Sequence, residues 1–463
     1  MKLSFFNTLP GKIEEYAPVS DQTGFYSCGP TVYNYAHIGN LRTYIFNDIL
    51  KRALLYNGFR VKHVMNITDI GHLTGDTDTG PDKMVESAKA QKKSVLELAE
   101  FYTDAFFKDL SSLDILPPDL KVRATDHIPE MIALVKKLEE KGFAYCSGGN
   151  VYFEVSKFPH YGELARLDLA RLEGGARVEI DSQKKSPFDF VLWFTKSKFQ
   201  DQELKWNSPW GTGYPGWHIE CSAMSMKYLG EQFDIHTGGI DHIPVHHTNE
   251  IAQSEAATGK HPWVRYWLHG EFLVTDKQKM AKSSGNFFTL SSLLAMGFSA
   301  SAFRYLCLTA HYRSQLAFSI DAMKSAEQSL KNLHSRITEL KREKSCLSGG
   351  GDNYRREFLS MLNNDLNIPR CLAVLNNMLK DPDLGPADKL ALVNDFDRVL
   401  GICITAENSE AVPPEITALA EQRFAARKNR NWELADELRS KITRSGYIMT
   451  DTKDGFRLDA VKT

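Results

Sequence analysis

The chain has 463 residues, and at roughly 150 residues per domain this length predicts about three domains and excludes a single compact core. Its 42% hydrophobic and 25% charged residues lie near globular averages, which excludes collagen, coiled-coil rods and disordered chains. The 56 Lys and Arg nearly balance the 58 Asp and Glu, leaving a net charge of −2. The whole molecule is therefore not a polybasic nucleic-acid binder, although its net charge is compatible with a local basic surface.

The cysteines and the N-terminal residues indicate the cellular compartment in which the protein is expected. An odd number of cysteines thinly spread through a large chain is typical of reduced thiols rather than of a disulfide framework; they are Cys28, Cys146, Cys221, Cys307, Cys346, Cys371 and Cys403. The N-terminus reaches Pro10 and acidic residues before any signal-length apolar stretch, and no apolar run of roughly 18 residues follows. We therefore expect a cytoplasmic protein without a membrane partner.

The first half of the chain alternates short apolar runs with helical patterns from Thr23 to about Thr275, which predicts an α/β domain with a parallel sheet. Strands are predicted around Phe25 and over residues 61–67, 233–236 and 267–273. A helix is expected to begin near Leu41, and Ser94 with Glu97 forms a capping box before an amphipathic helix that extends to Leu113. Helices are therefore expected to separate the strands.

Pro117 and Pro118 break the first pattern, and residues 115–195 read as an inserted piece. Beyond residue 320 the sequence reads as mostly helical. A long helix with one buried stripe is predicted from apolar residues spaced three and four apart: Met323, Ala326, Leu330, Leu333, Ile337 and Leu340. Residues 407–414 form a polar, proline-bearing linker before a last module of about 50 residues.

A first motif, His37-Ile38-Gly39-Asn40, lies between a predicted strand and a predicted helix. A helix N-terminus presents free N–H groups and a positive partial charge to a phosphate, and Gly39 leaves room for a nucleotide. An ordinary loop with a surface histidine is the alternative on these four residues alone.

A second motif runs from Lys279 through Met280, Ala281 and Lys282 to Ser283-Ser284-Gly285-Asn286. Two lysines beside small residues can neutralise the charge that grows on a leaving pyrophosphate, although a solvated surface loop is the alternative. Together, in this order, the two motifs resemble the HIGH and KMSKS signatures of class I aminoacyl-tRNA synthetases. Asn40 stands where the second histidine usually lies, and Ala281 replaces a serine.

This resemblance implies activation of an amino acid by ATP with Mg²⁺, followed by transfer to the 3′ end of a tRNA. The catalytic residues that it implies are His37, Asn40, Lys279 and Lys282. They would stabilise charge in the transition state, and none need act as a covalent nucleophile.

A third constellation combines Cys28, Cys221, His246 and Glu250. His246 and Glu250 stand at positions i and i+4, which share a face of a helix. Thiolate, imidazole and carboxylate are all ligand types that bind zinc, and these four residues would complete its tetrahedral coordination. Because the two cysteines are far apart in the sequence, buried free thiols and a core histidine remain the alternative at this point.

Four segments narrow the resemblance to cysteinyl-tRNA synthetases: Cys28-Gly29-Pro30-Thr31-Val32-Tyr33, Asn66-Ile67-Thr68-Asp69, Gly216-Trp217-His218-Ile219-Glu220-Cys221 and Gly238-Gly239-Ile240-Asp241. In that family a zinc ion binds the substrate thiol, and the matching ligands here are those of the third constellation. Since a thiolate is a far better zinc ligand than a hydroxyl, such a site discriminates cysteine from serine without editing.

The same resemblance assigns the neighbouring residues. Gly29, Thr68 and Trp217 would line the cysteine pocket. The ATP-binding residues would be His37, Gly39, Asn40, Gly239, Asp241 and Lys282. A strand-end turn for Gly238-Gly239 and a core position for Trp217 are the alternatives without the family match.

The tail concentrates positive charge, with seven basic and four acidic residues over positions 421–444. From the residues alone, this segment could equally be a solvated helix whose tryptophan lies in a core. The resemblance implies that this module recognises the anticodon, with Arg427, Trp432, Asp436 and Asp451 as contacts and with Arg423, Lys428 and Arg430 near phosphates.

The resulting interpretation is a zinc-dependent cysteine–tRNA ligase, with one Zn²⁺ per chain and with L-cysteine, ATP and tRNA(Cys) as partners, acting as a monomer. Its predicted parts are a Rossmann-like catalytic domain in two halves (1–115 and 196–270), an inserted connective segment (116–195), a signature-loop and stem-contact region (271–320), a helical tRNA-binding bundle (321–405) and an anticodon-binding module (415–463).

Three alternatives remain open at this point. A ligase that joins activated cysteine to an amino sugar would share the zinc ligands and both signatures, but it would not need residues 320–463. A silent paralogue that binds tRNA as a regulator is opposed by the presence of His37 and Lys282. A zinc hydrolase built on His242, His246 and Glu250 lacks an evident carboxylate base.

Overall fold

A computed structural model describes residues 2–70, 83–91, 93–167, 182–196, 203–275, 278–279, 287–343, 346–402, 414–429, 431–445, 447–452 and 455–460. The chain forms two compact units, Met1–Ile404 and Thr405–Thr463. Of the helices in these residues, none is long and apolar enough to cross a membrane.

The described strands, in chain order, are β1 Ser4–Asn7, β2 Lys12–Glu15, β3 Gln22–Ser27, β4 Arg60–Ile67, β5 Leu120–Arg123, β6 Ala144–Ser147, β7 Asn150–Phe153, β8 Phe190–Phe194, β9 Tyr214–Pro215, β10 Phe233–Gly239, β11 Val264–Gly270, β12 Leu273–Thr275, β13 Gln278–Lys279, β14 Leu316–Phe318, β15 Tyr447–Thr452 and β16 Gly455–Ala460. The described α-helices are α1 Ile38–Tyr56, α2 Lys83–Gln91, α3 Val95–Ser112, α4 Ile128–Glu140, α5 Trp217–Leu229, α6 Thr248–Thr258, α7 Leu290–Ala295, α8 Ala300–Leu308, α9 Ile320–Arg342, α10 Asp352–Asn363, α11 Ile368–Lys380, α12 Pro386–Leu400, α13 Pro414–Lys428 and α14 Trp432–Arg444.

A five-stranded parallel sheet organises the first unit, in the order β11-β10-β3-β4-β5. Its central strands are buried almost throughout, as parallel strands are when helices cover both faces. The predicted α/β class with a parallel sheet is confirmed.

The predicted strand over residues 267–273 is in fact two strands, β11 and β12, separated by Glu271 and Phe272. The buried guanidinium of Arg42, in α1, donates hydrogen bonds to the carbonyls of both separating residues and to those of His311 and Ser314. These carbonyls therefore find partners although they lie outside the parallel sheet. β12 then continues in a different sheet, ordered β13-β12-β14.

The helix signals read from the sequence are confirmed, apart from small shifts. Ser94 and Glu97 form the predicted capping box, and α3 ends with Leu113 as its C-cap. In α9 the predicted stripe is buried except for Leu340, which lies in the last turn of the helix and is only partly buried. α1 begins at Ile38, three residues before the predicted start.

The segment predicted as an insertion does not separate cleanly from the parallel sheet. β5 lies within residues 116–195, yet it pairs with β4. A four-stranded antiparallel sheet, ordered β6-β7-β8-β9, extends past residue 195 to Tyr214–Pro215. The predicted domain limits therefore stay predictions.

A buried ionic network joins α1 to the helices that follow the sheet. Asp48 accepts hydrogen bonds from Arg52 Nε at 2.8 Å and from Arg304 Nη2 at 2.5 Å, and the side chains of Asp48 and Arg304 are 0% exposed. Arg304 also donates to the carbonyls of Leu400 and Leu113. Asp48 thus compensates the Arg304 guanidinium and shares Arg52 with Asp114, whose Oδ2 lies 3.1 Å from Arg52 Nη2.

We expect Asp48→Ala to lower the free energy of unfolding by about 3–5 kcal/mol, because it leaves buried guanidinium charge without its carboxylate. Urea denaturation followed by circular dichroism measures the difference. Asp104→Ala on the exposed face of α3 is the matched control and should change stability little. Equal losses in both variants would contradict the role assigned to Asp48.

Candidate active site and metal centre

The site forms where the carboxyl ends of β3, β4, β10 and β11 meet. β3 has β10 on one side and β4 on the other, so the chain order reverses at this point. Open parallel sheets bind ligands in the crevice at such a reversal. Cys28 directly follows β3, and its N–H donates to Thr237 O in β10 at 3.2 Å.

His37 is the N-cap of α1, and its ring accepts a hydrogen bond from Asn40 N–H at 3.0 Å. Asn40 Oδ1 in turn accepts from His37 N–H at 3.3 Å. The first motif is therefore a capping box, and the positive end of the helix dipole coincides with it. A Cβ added at Gly39 would lie 2.9 Å from the His37 ring.

The described residues that directly follow the second motif, Phe287 to Thr289, contact the first motif. Ile38 N–H donates to Phe288 O at 2.9 Å, and His37 forms an isolated antiparallel β-bridge with Thr289. The ring centroids of His37 and Phe287 are 5.8 Å apart. The Lys279 backbone belongs to β13. Its side chain and Lys282 lie outside the described residues. The segment that follows the second motif is thus in contact with the first.

The residues predicted to line a cysteine pocket lie at the ends of β3 and β4. Gly29 N–H donates to Asn66 Oδ1 at 2.8 Å, and a Cβ on Gly29 would lie 1.6 Å from Asn66 O. Only glycine therefore fits this position. Thr68 Oγ1 donates to Glu220 Oε2 at 3.0 Å, and burial raises the pKa of Glu220 well above its ordinary value.

Trp217, the first residue of α5, forms one wall of the site. Its ring stacks on His246, with ring centroids 4.2 Å apart and an angle of 21° between the planes. His246 Nδ1 shares a hydrogen bond with His218 Nδ1 at 3.1 Å. Stacking and hydrogen bonding together fix the orientation of the His246 imidazole.

Two overlapping groups of metal-ligating side chains surround Cys28. The ligand atoms of Cys28, Cys221 and His246 lie within 4.8 Å of one another, and so do those of Cys28, His236, His247 and Glu250. All are buried. Glu250 Oε1 lies 3.8 Å from His246 Nε2, which links the groups. The four predicted ligands are therefore divided between two groups that share Cys28.

Glu250 indicates what this cluster can hold. Its side chain is 0% exposed, and within the described part of the chain neither carboxylate oxygen has a hydrogen-bond partner, although His236 Nε2 approaches to 3.3 Å. A buried carboxylate is costly unless it is paired or coordinates a metal. Its oxygens and the two sulfurs together form a donor set that fits zinc.

The pKa values of the two cysteines are shifted in opposite directions. Burial disfavours the Cys28 thiolate, but a hydrogen bond with Cys221 and the nearby His247 outweigh it and hold the pKa of Cys28 well below its ordinary value. Burial and the same hydrogen bond raise the pKa of Cys221 well above its ordinary value. A bound cation would favour the thiolate form of both cysteines, because metals bind thiolates.

The predicted adenosine contacts follow β10. Gly239 ends the strand and Asp241 is exposed in the next turn. A Cβ on Gly239 would lie 2.3 Å from Asp241 Oδ1, so the missing side chain allows the Asp241 carboxylate to fold back over the strand end. A carboxylate oxygen in this position can accept hydrogen bonds from hydroxyl groups.

Comparisons with known proteins agree with this geometry. The family model described as tRNA synthetases class I (C) catalytic domain matches residues 16–328. The Treponema denticola cysteine–tRNA ligase is 50% identical over 97% of this chain and 98% of its own. The cysteine–tRNA ligase 1 of Burkholderia lata is 44% identical over 99% and 97%.

The chain belongs to the cysteine–tRNA ligase family of class I tRNA synthetases. The predicted family and enzyme class are thereby confirmed. The solved Mycobacterium tuberculosis methionyl-tRNA synthetase in complex with methionyl-adenylate has a TM-score of 0.57 at 15% identity, covering 83% of this chain and 89% of that one. At this identity the likeness of the synthetase to that structure shows the fold alone.

Sequence reasoning missed two histidines of the cluster. His236 lies in β10 and stacks on Trp267 at 4.5 Å, while His247 contacts Cys28 Sγ at 3.4 Å and His269 Nε2 at 2.7 Å. The available signal was the density of histidines over residues 242–247. Which of the histidines face Cys28 depends on the pairing of β10 with β3.

The second unit of the synthetase contains α13, α14 and the hairpin β15–β16, with a small core that includes Ile416, Ala420 and Ile442. Trp432 is 57% exposed rather than part of this core, and the Arg427 guanidinium lies 6.0 Å from its ring centroid. Asp436 is exposed.

The expectation that Arg423 contacts phosphates is wrong. Arg423 is 3% exposed and its guanidinium lies 3.4 Å from Met449 Sδ, because its position on α13 faces the small core. The side chains of Lys428 and Asp451, and all of Arg430, lie outside the described residues, as does the predicted linker before Pro414.

Proposed function

We propose that this enzyme activates L-cysteine with ATP and Mg²⁺, releases pyrophosphate, and then transfers the cysteinyl group to the 3′ end of tRNA(Cys). The observation that carries the proposal is the buried Cys28–Cys221–His246 group, whose Cys28 lies between β3 and the His37 cap of α1. A candidate thiol-binding centre and a candidate phosphate-binding helix terminus thus flank the same connection between β3 and α1. Family membership supports the same reaction.

Cys28, Cys221, His246 and Glu250 would hold the zinc ion. When bound, zinc would take the substrate sulfur as a ligand and so favour cysteine over serine. The stacked Trp217 closes the pocket from one side, and the Gly29 backbone together with Thr68 closes it from the other. With its sulfur held there, the substrate would direct its carboxylate towards His37.

In the first step the cysteine carboxylate attacks the α-phosphorus of ATP, and the bond to the leaving pyrophosphate breaks. The His37–Asn40 cap and the N-terminus of α1, with Lys279 and Lys282, would stabilise the charge that develops on the phosphates. Gly39 and Gly239 leave room for the nucleotide, and Asp241 would accept from the ribose hydroxyls. In the second step the terminal ribose hydroxyl of the tRNA attacks the adenylate carbonyl and AMP leaves.

Cysteine-dependent exchange of pyrophosphate into ATP tests the first step, and charging of tRNA(Cys) tests the second. We expect exchange with L-cysteine but not with L-serine, and charging only when tRNA(Cys) is added. Exchange without charging would favour a ligase that joins activated cysteine to another amine. Absence of both reactions would favour a regulator that binds tRNA.

We further propose that residues 321–405 bind tRNA and that the second unit reads the anticodon. Trp432 and Arg427 support this role, because an exposed indole beside a guanidinium can stack on an unpaired base. Asp436 and Asp451 would accept from base edges. With six described cysteines carrying free thiols, we propose that the enzyme acts in the cytoplasm, as a monomer.

We expect Trp432→Ala to weaken the binding of tRNA(Cys) by about 1–3 kcal/mol, the usual worth of one stacked base. Filter binding or fluorescence titration at fixed salt measures the dissociation constant. Trp432→Phe retains a ring and should recover much of the affinity, and cysteine-dependent exchange should be unchanged in both variants. Unchanged tRNA affinity in Trp432→Ala would remove this residue from the interface.

A further inference from the structure

A chain of three hydrogen bonds connects two residues of the proposed cysteine pocket, Gly29 and Thr68, to Glu220. Asn66 Oδ1 accepts from Gly29 N–H at 2.8 Å, and Asn66 Nδ2 donates to Thr68 Oγ1 at 3.2 Å. Thr68 Oγ1 in turn donates to Glu220 Oε2 at 3.0 Å. Asn66, Thr68 and Glu220 are all buried. The chain therefore links the residues adjacent to the two cysteines of the candidate metal centre.

The main chain of Thr68 is held in place independently of these side chains. Its N–H donates to Pro30 O at 3.1 Å, and its carbonyl accepts from Val32 N–H at 3.3 Å. Both partners belong to the segment that follows β3. Because the backbone is fixed on both sides, the side-chain partners of the Thr68 hydroxyl determine where its proton points.

These partners also determine what the hydroxyl can offer to a substrate. A hydroxyl has one proton to donate and two lone pairs that accept. The Thr68 proton is donated to Glu220, and one lone pair accepts from Asn66. The second lone pair can accept one more hydrogen bond, whereas the hydroxyl has no second proton. Thr68 therefore suits a donor group of a substrate and not an acceptor group.

The charged groups of cysteine differ in this respect, because its carboxylate only accepts hydrogen bonds and its ammonium group only donates them. In the function proposed above, on which this inference rests, the sulfur binds the metal and the carboxylate attacks ATP, so the ammonium group remains to be recognised. We propose that Glu220 is a positioning residue for this recognition: by accepting the Thr68 proton, it makes the Thr68 hydroxyl an acceptor for the ammonium group of cysteine.

Two thiols that each lack one charged group of cysteine test this role. Cysteamine has the thiol and the ammonium group, whereas β-mercaptopropionate has the thiol and the carboxylate. Isothermal titration calorimetry of the zinc-loaded full chain gives the dissociation constant of each thiol without depending on turnover. Thr68→Val and Glu220→Met should weaken the binding of cysteamine by about 10-fold to 100-fold, the usual cost of a hydrogen bond to a charged group. Both variants should leave the binding of β-mercaptopropionate nearly unchanged.

Conservative and matched variants separate positioning from a general loss of structure. Glu220→Gln retains an acceptor oxygen and should recover most of the affinity for cysteamine. Thr103→Val is the matched control, because Thr103 is a buried threonine of α3 whose hydroxyl donates to Ala99 O outside the site. The double variant Thr68→Val/Glu220→Met should bind cysteamine no more weakly than Thr68→Val alone, since both changes remove the same contact. Zinc content and circular dichroism verify the metal centre and the folding of each variant.

The relative losses of the two thiols decide the outcome. A larger loss for β-mercaptopropionate than for cysteamine in Thr68→Val would show that Thr68 meets the carboxylate, and equal losses would show a merely structural role. An effect in Thr68→Val without one in Glu220→Met would exclude Glu220. Each of these results would overturn this inference alone, because the wild-type protein would still bind both thiols. A zinc-loaded wild-type protein that bound neither thiol would overturn the proposed function and this inference with it.

Discussion

Cys221→Ser should lose stoichiometric zinc and cysteine activation together. Cys221 is 1% exposed, and its sulfur belongs to the group formed with Cys28 and His246. A serine hydroxyl is not ionised at neutral pH and is a poor substitute for a thiolate ligand. We expect a loss greater than the roughly 10-fold to 100-fold that follows removal of an outer-shell partner.

Metal analysis of the purified variant and cysteine-dependent pyrophosphate exchange measure the two effects. Cys371→Ser is the matched control, because Cys371 is equally buried but lies in α11, outside the site. It should retain one zinc per chain and full exchange. A Cys221→Ser protein with normal zinc content and normal affinity for cysteine would contradict the proposed ligand set.

Lys282→Ala should slow adenylate formation by about 100-fold to 1,000-fold, the usual cost of one lost electrostatic contact in a transition state. The charge would meet pyrophosphate only as the bond to phosphorus breaks, so cysteine affinity should change far less than the rate. Pre-steady-state formation of the adenylate separates the two quantities.

Ala281→Ser tests the neighbouring position in the same segment. It introduces the serine that the signature usually contains and should leave the activation rate close to that of the wild type. Lys108→Ala removes an exposed lysine of α3 and controls for the loss of one positive charge. An unchanged activation rate in Lys282→Ala would exclude Lys282 from the reaction.

Much of the fold could be predicted because its signals are local. The Ser94–Glu97 capping box and the apolar stripe of α9 each lie within a few turns of one helix, and both occur where the pattern indicated. The order of the strands is not local. β5 joins the parallel sheet although two prolines separate it from α3, a pairing that no local pattern encodes.

The candidate site could be predicted in part for the same reason. His246 and Glu250 stand one helical turn apart, so their proximity follows from the sequence. The approach of His236 to Glu250 at 3.3 Å depends on the packing of β10 against α6, which no local pattern encodes. Arg423 illustrates the converse error, since a count of basic residues does not tell which face of α13 each one occupies.

The Arg42 guanidinium has a consequence for the two signature segments. It lies one turn beyond the His37 cap and holds the backbone just before β12, the strand that leads towards Lys279. This side chain thus fixes the backbone before β12 against α1, which would raise the effective concentration of the second segment around phosphates at the proposed site. Lysine cannot replace it, because an ammonium group lacks the planar fork that reaches carbonyls from separate chain segments. Substitution at this position would weaken cooperation between the two halves of the proposed phosphate site while leaving the proposed thiol pocket intact.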